Sequence, residues 1–160
     1  MRRVFHVVLF LMIMLPLHAR IGETSEECIK RYGNPIDSDY VPVPEGCIIV
    51  EGDYHFSKNG FDILVHFYEG KADYILFSAS DFSEMSDKDV ATLLDANIGS
   101  GSWKEDKSAK HDRVFISSEK KILADYSHSP YSALAICTLD YYIRLKEAEK
   151  RKEDERLRDF

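Results

Sequence analysis

The dipeptide Asn59-Gly60 separates two stretches of alternating apolar and polar residues, and it constrains the fold more than any other feature of the chain. Asn-Gly in this setting is typical of a two-residue β-hairpin turn, because both residues readily adopt a positive φ. On the returning stretch, residues 61–68, one face carries Phe61, Ile63, Val65 and Phe67. A second tight turn at residues 69–71 leads into a third apolar stretch. The pattern predicts an antiparallel meander with one strongly apolar face.

A short helix is predicted before this meander. Thr24 and Glu27 have the spacing of a capping box at the start of residues 25–32. Gly33 is suited to end the helix, and Pro35 prevents it from resuming.

The same order of elements is predicted a second time. Ser86 and Asp89 repeat the cap, and an apolar helical stripe follows at Val90, Leu93, Leu94 and Ile98. After a polar loop at 104–112 come three strand candidates, RVFIS, KILADYS and ALAICT. We therefore predict an α+β fold of two helix-plus-antiparallel-meander halves, about 20–82 and 83–138, within one domain over 20–145. The repeated order suggests a degenerate duplication. The expected core is Ile29, Ile63, Val65, Phe67, Ile75, Val90, Leu93, Leu94, Val114, Ile116 and Ile136.

The C-terminal residues predict a helix that changes character along its length. Leu139, Tyr142, Ile143 and Leu145 are expected to dock on the domain. Residues 146–160 form a charged, coiled-coil-like tail, in which Ala148 is the only apolar residue before Leu157. A helix without an apolar face is not held by packing, so we expect this tail to be solvated.

Residues 1–19 have the layout of a secretory signal peptide, with Arg2 and Arg3 before an apolar run that is too short to span a membrane. We expect cleavage after Ala19, with an uncleaved anchor as the alternative. After cleavage the protein is expected to be exported, either periplasmic or secreted, and to have no transmembrane span. The first cysteine is Cys28, so no lipid anchor is expected. Loss of the two arginines changes the formal charge from −7 to −9, which argues against a nucleic-acid partner.

Three cysteines, Cys28, Cys47 and Cys137, predict one disulfide and one free thiol in an oxidising compartment. We favour a bond between Cys28 and Cys47, which would join the first helix to the first strand. Cys137 lies in an apolar run and is expected to be buried.

No motif in the chain predicts catalysis, a metal or another cofactor. The histidines outside the signal lack metal-ligand spacing, and no phosphate loop or Gly-x-Ser-x-Gly sequence occurs. We predict a non-catalytic module that binds another envelope protein or a surface component. The alternatives are a small carboxylate-dependent hydrolase and a structural envelope protein without a specific ligand. The aromatic residues suit a core; the functional alternative is an open partner-binding face, with Tyr54, His66, Tyr68 and Trp103 as its candidates.

The stretch IGETSEECIKRYGNP resembles the opening of small outer-membrane lipoprotein A domains (SmpA/OmlA, BamE-like), whose helix-then-meander plan also occurs in β-lactamase-inhibitor-protein-like folds. The matching helix positions are Gly22, Thr24, Gly33 and Pro35, and Phe67, Gly70 and Lys71 match the strand and turn. The resemblance implies structural roles for all of them. The chain also resembles a group of short exported bacterial proteins of unknown function.

Overall fold

The computed structural model describes residues 20–36, 53–98, 101–108, 113–128 and 132–158. In these ranges the chain forms three helices and seven strands. In chain order they are α1 (Ser25–Tyr32), β1 (Tyr54–Lys58), β2 (Phe61–Tyr68), β3 (Lys71–Ala79), α2 (Asp87–Ile98), β4 (Lys104–Asp106), β5 (Arg113–Ser117), β6 (Ile122–Ser127), β7 (Ala133–Thr138) and α3 (Leu139–Arg158).

The strands form one antiparallel sheet in the order β1-β2-β3-β7-β6-β5-β4. Each half contributes a meander, and the two meanders join where β3 pairs with β7. The predicted α+β class is confirmed. The duplication stays a prediction, because element order alone does not establish common ancestry of the halves.

The turns that organise the first meander have the predicted conformation. Asn59 and Gly60 have φ values of 54° and 83°, and Glu69 and Gly70 have 50° and 76°. Two successive positive φ values are the signature of the hairpin turn whose twist matches that of the flanking strands. Both turns predicted from the sequence are therefore present.

Helices α1 and α2 pack on the same face of the sheet, here called the inner face. Cys28 and Tyr32 of α1 and Leu93 of α2 join the inner-face core. Of the predicted core residues, those that are buried are Ile63, Val65, Ile75, Val90, Leu93, Leu94 and Ile136. Ile29 and Phe67 are partly buried against the same core.

The predicted faces of β5 are reversed in the structure. Phe115 and Ser117 point to the inner face and are buried, whereas Val114 and Ile116 are half-buried on the opposite, outer face. The pairing of Phe115 with Ala124 sets this register. Alternation alone does not indicate which face of β5 is buried, since both faces of RVFIS include large apolar side chains.

Residues 104–106 form a strand where a loop was predicted. Among the described strands, β4 lies at the edge of the sheet and pairs with β5 alone, and all three of its side chains are exposed. An edge strand of this kind needs no apolar face, because its backbone hydrogen bonds alone attach it. The polar sequence of β4 has no apolar alternation, so it did not indicate a strand.

The docked face of α3 also differs from the prediction. Leu139, Tyr142 and Ile143 are exposed, with relative accessibilities of 38%, 42% and 46%. Tyr141 packs on the outer face instead, and Arg144 contacts the strands beside it. Leu145 is half-buried. No described residue of α3 is fully buried.

Candidate functional site

The first turns of α3 meet the outer face of the sheet at Asp73. A register shift between β2 and β3 pairs His66 with Tyr74 and Phe67 with Ala72, which leaves Asp73 as an extra residue. A bulge of this kind changes the alternation of side chains. It puts Asp73 on the outer face beside Tyr74, although a regular strand would separate neighbouring residues onto opposite faces.

The Asp73 carboxylate is buried and bonded on both oxygens. His66 Nδ1 lies 2.6 Å from Asp73 Oδ1. Arg144 Nη2 of α3 donates a hydrogen bond to Asp73 Oδ2. The Asp73 side chain is only 8% exposed. A carboxylate in such a position is costly unless it is paired, and here two basic side chains satisfy it.

Aromatic contacts complete this attachment of the helix. The Arg144 guanidinium carbon lies 3.8 Å from the centre of the Tyr68 ring. Tyr141 stacks on Tyr74 with ring centres 4.9 Å apart and meets His66 edge-on at 5.6 Å. Cation–π and aromatic contacts each add to the stability of such a junction. The cluster thus fixes one side of α3 to the sheet.

The cluster has a histidine and a carboxylate but is poorly suited to nucleophilic catalysis. A candidate nucleophile on this face is Cys137, the cross-strand neighbour of Tyr74. Cys137 is half-buried, not fully buried as predicted. This partial burial, together with the carboxylates of Asp73 and Asp125, raises the pKa of the Cys137 thiol to about 12. An activated cysteine needs a lowered pKa. The arrangement at Asp73 therefore fits a structural junction better than a catalytic one.

The structure does not bring the four predicted face residues together. His66 and Tyr68 lie on the outer face beside α3, as described above. Tyr54 lies on the inner face, with its ring 5.3 Å from that of Phe67. Trp103 is also packed against the inner core, and its Nε1 donates a hydrogen bond of 2.9 Å to the carbonyl of Leu94.

The residues of the predicted helix motif have structural contacts. Glu27 N donates to Thr24 Oγ1 at 3.3 Å, and Thr24 N donates to Glu27 Oε2 at 2.8 Å, which completes the capping box. Gly22 N donates to the carbonyl of Ala72, and Gly33 N to that of Ile29. Both glycines have positive φ, 89° and 95°. Pro35 is exposed just after the helix.

Cys28 lies at the centre of the inner-face core, with 0% exposure, and has no disulfide partner among the described residues. Burial, reinforced by Glu23, raises its pKa to about 12. Cys47 lies outside the described residues. The Cys28–Cys47 bond therefore stays a prediction.

For the carboxylate-dependent hydrolase, two carboxylates, Glu84 and Asp87, line an open cleft of about 250 Å³ at the start of α2. Glu84 lies 3.5 Å from His128, and Asp87 forms an ion pair with Arg113. Asp89 accepts hydrogen bonds from Ser86 as part of the helix cap. Within the described ranges, no group of three or more His, Cys, Asp or Glu residues is arranged to hold a metal ion.

The large apolar side chains left exposed on α3 form a line, here called the outward stripe: Leu139, Tyr142, Ile143 and Leu157. The first three are at helical spacings of three and four residues. Leu157 follows Leu139 by five turns and lies on the same side, and it is 57% exposed. Apolar side chains grouped on one face mark an interaction surface more often than scattered ones do.

Asp73 and Arg144 are not among the site residues predicted from the sequence. One signal was present, because Asp73 is an acidic residue inside an otherwise apolar strand and such a residue requires a partner. The identity of that partner depends on how α3 packs, which sequence spacing does not reveal.

None of the helices in the described part of the chain is both long enough and apolar enough to cross a membrane. Comparison with protein-family models, with curated proteins and with solved structures finds no match.

Proposed function

We propose that the protein is a non-catalytic, exported binding module that engages another protein through the outward stripe of α3. The single observation that carries the proposal is the orientation of this helix. Tyr141 and Arg144 use one side of it for attachment, and the large apolar side chains Tyr142 and Ile143 are left in solvent on the other. Leaving them there has no benefit for the fold of the chain itself, whereas a bound protein would remove them from water.

The rest of α3 supports the same proposal. Beyond Leu145 the helix has little contact with the sheet: among residues 146–158, Ala148 alone is half-buried and the others are exposed. A helix of 20 residues is about 30 Å long, so much of α3 is accessible to a partner. Helix faces of this kind commonly supply anchors spaced by three and four residues.

Capture of crosslinked partners from the native envelope tests the proposal. The comparison uses the wild type and the double variant Tyr142→Lys/Ile143→Lys, which replaces two apolar side chains of the stripe by charged ones without touching a buried residue. A matched control, Lys152→Ala/Glu155→Ala, alters exposed positions elsewhere on the same helix. We expect a recurrent partner that the wild type and the control retain and the stripe variant loses.

Other outcomes would favour the two alternatives. If no partner is captured and a panel of glycosides or esters is turned over, with loss of turnover in Glu84→Gln, the hydrolase is the better explanation. If neither binding nor turnover is found, a structural envelope protein without a specific ligand is the better explanation. Circular dichroism of each variant shows whether the fold is retained.

Export is a separate part of the proposal and rests on the signal-like sequence of residues 1–19. Intact-mass analysis of the protein from the exporting cell is expected to give a chain that begins at Arg20. A mass that still includes Met1 to Ala19 would contradict cleavage.

A further inference from the structure

The charged part of α3 has an order that is complementary to itself when reversed. Along the side that carries the outward stripe lie Tyr142, Lys146, Glu149, Lys150, Glu153 and Leu157, at helical spacings. From the N-terminal end the order is apolar, positive, negative, and from the C-terminal end it is apolar, negative, positive. Two antiparallel copies of one helix require this order, because each charge then faces the opposite charge.

We propose that the partner of the outward stripe is a second copy of this chain, bound through α3 as an antiparallel pair with a twofold axis level with Glu149 and Lys150. This inference rests on the proposed function and specifies its partner. In a twofold interface each contact occurs twice, with the roles of the two copies exchanged.

The charges of the pair match in this arrangement. Lys146 of one copy faces Glu153 of the other, and Glu149 faces Lys150. A parallel, in-register pair would instead set Lys146 against Lys146 and Glu153 against Glu153, and like charges in contact oppose association. The charge order therefore selects the antiparallel direction.

The apolar residues lie where this arrangement needs them, at the two ends of the charged centre. Tyr142 of one copy faces Leu157 of the other, and Leu139 lies one turn beyond Tyr142 on the same side. Tyr142 and Leu157 are both exposed in the single chain. Burial of these side chains supplies attraction, while the charged pairs supply direction and register.

The attachment of α3 to its own sheet leaves this side free. Tyr141, Arg144, Leu145 and Ala148 are the half-buried residues of the helix, and they lie on the other side of it from Tyr142, Lys146 and Glu153. Lys146 does form an ion pair with Glu149 of its own helix, at 2.8 Å. Both side chains of that pair are 54% exposed, so a facing helix can share or replace the contact.

Sedimentation analysis with charge-exchange variants tests the pair. Protein purified from the exporting cell is studied from about 1 µM to about 1 mM, the range in which weak self-association becomes visible. We expect a dimer fraction that rises with concentration. Lys146→Glu and Glu153→Lys should each weaken dimerisation roughly tenfold, because each places two like-charged contacts in the pair. Their combination should restore wild-type dimerisation.

The rescue is specific for contact between two copies. Residues 146 and 153 are two turns apart, about 10 Å along the axis, and so do not pair within one helix. Glu155→Lys makes the same charge change as Glu153→Lys on the opposite side of α3 and should leave dimerisation unchanged. Helical content from circular dichroism confirms that all four proteins retain α3.

Three results would overturn the inference: a monomer at every concentration, a dimer that tolerates both single reversals, or single reversals that the double variant does not rescue. The proposed function is judged separately. If the protein is monomeric and still captures a different protein in a manner that depends on Tyr142 and Ile143, the self-pairing is wrong and the binding module stands.

Discussion

Asp73 shows how one residue links the sheet to α3. The bulge turns its carboxylate toward the outer face, where His66 and Arg144 bind it from two sides. A buried ion pair contributes little net stability, but removing one partner is costly because the other partner is left unsatisfied. Arg144 is 35% exposed, so water compensates part of any loss on its side.

We expect Asp73→Ala to lower the free energy of unfolding by about 2 kcal/mol, because His66 and Arg144 lose their shared acceptor and water compensates only part of that loss. Urea denaturation measures the change. Asp87→Ala is the matched control, since Asp87 also pairs with an arginine but its side chain is 90% exposed. Its removal should alter stability by no more than about 0.5 kcal/mol. Equal effects of the two substitutions would show that the buried junction has no special weight.

The surroundings of Cys28 and Cys137 predict how their thiols react with an alkylating reagent. Burial raises the pKa of both Cys28 and Cys137 to about 12, so at pH 8 both are almost entirely in the unreactive thiol form. We expect neither to react with iodoacetamide in the native protein and both to react after denaturation and reduction, as read by peptide mass spectrometry. Rapid native labelling of Cys28 would contradict its position in the core.

The same experiment tests the predicted disulfide. In denaturant without reductant, a Cys28 that is bonded to Cys47 stays unlabelled and appears in a linked peptide. A labelled Cys28 under those conditions would exclude the bond.

Among the elements, those determined by local sequence were predictable. The bounds of α1 follow from Thr24, Glu27 and Gly33, because caps and stops act within one turn of the helix. The β2–β3 hairpin likewise follows from its turn residues. The faces of β5 and α3 were not predictable in the same way. Each has apolar residues on both sides, and only pairing with distant residues decides which side is buried.

The observed register of β5 can be tested by two alanine substitutions in neighbouring positions. Phe115→Ala should cost about 3 kcal/mol, since the ring is buried on the inner face with 6% exposure. Ile116→Ala should cost only about 1 kcal/mol, because its side chain is half-buried on the outer face. Denaturant unfolding of the two variants compares them directly. A larger loss for Ile116→Ala would instead support the predicted placement of Val114 and Ile116 in the core.

At the scale of the whole molecule, the sheet unites both halves through the β3–β7 pair. Ile75 faces Ile136 and Phe77 faces Leu134 across that pair, in the middle of the inner core. Neither helix-plus-meander half can form the β3–β7 pair alone, so we infer that the halves fold together rather than separately. The order of elements suggested two halves, but the pairing that joins them is a long-range contact that no local pattern encodes.

The charged end of α3 contributes little to the packed core, and a truncation after Leu145 tests whether it stabilises the fold. Residues 146–158 contribute no buried side chain, whereas Tyr141 covers Tyr74 on the outer face. We therefore expect a chain that ends at Leu145 to melt within about 2 °C of the full protein, with a smaller helical signal in circular dichroism. Tyr141→Ala in the full chain is the contrasting variant. It leaves the length of α3 unchanged but removes its aromatic contact with the sheet, and it should lower the melting temperature by several times as much. A large loss on truncation, with little effect of Tyr141→Ala, would mean that the far end of α3 rather than its first turns stabilises the fold.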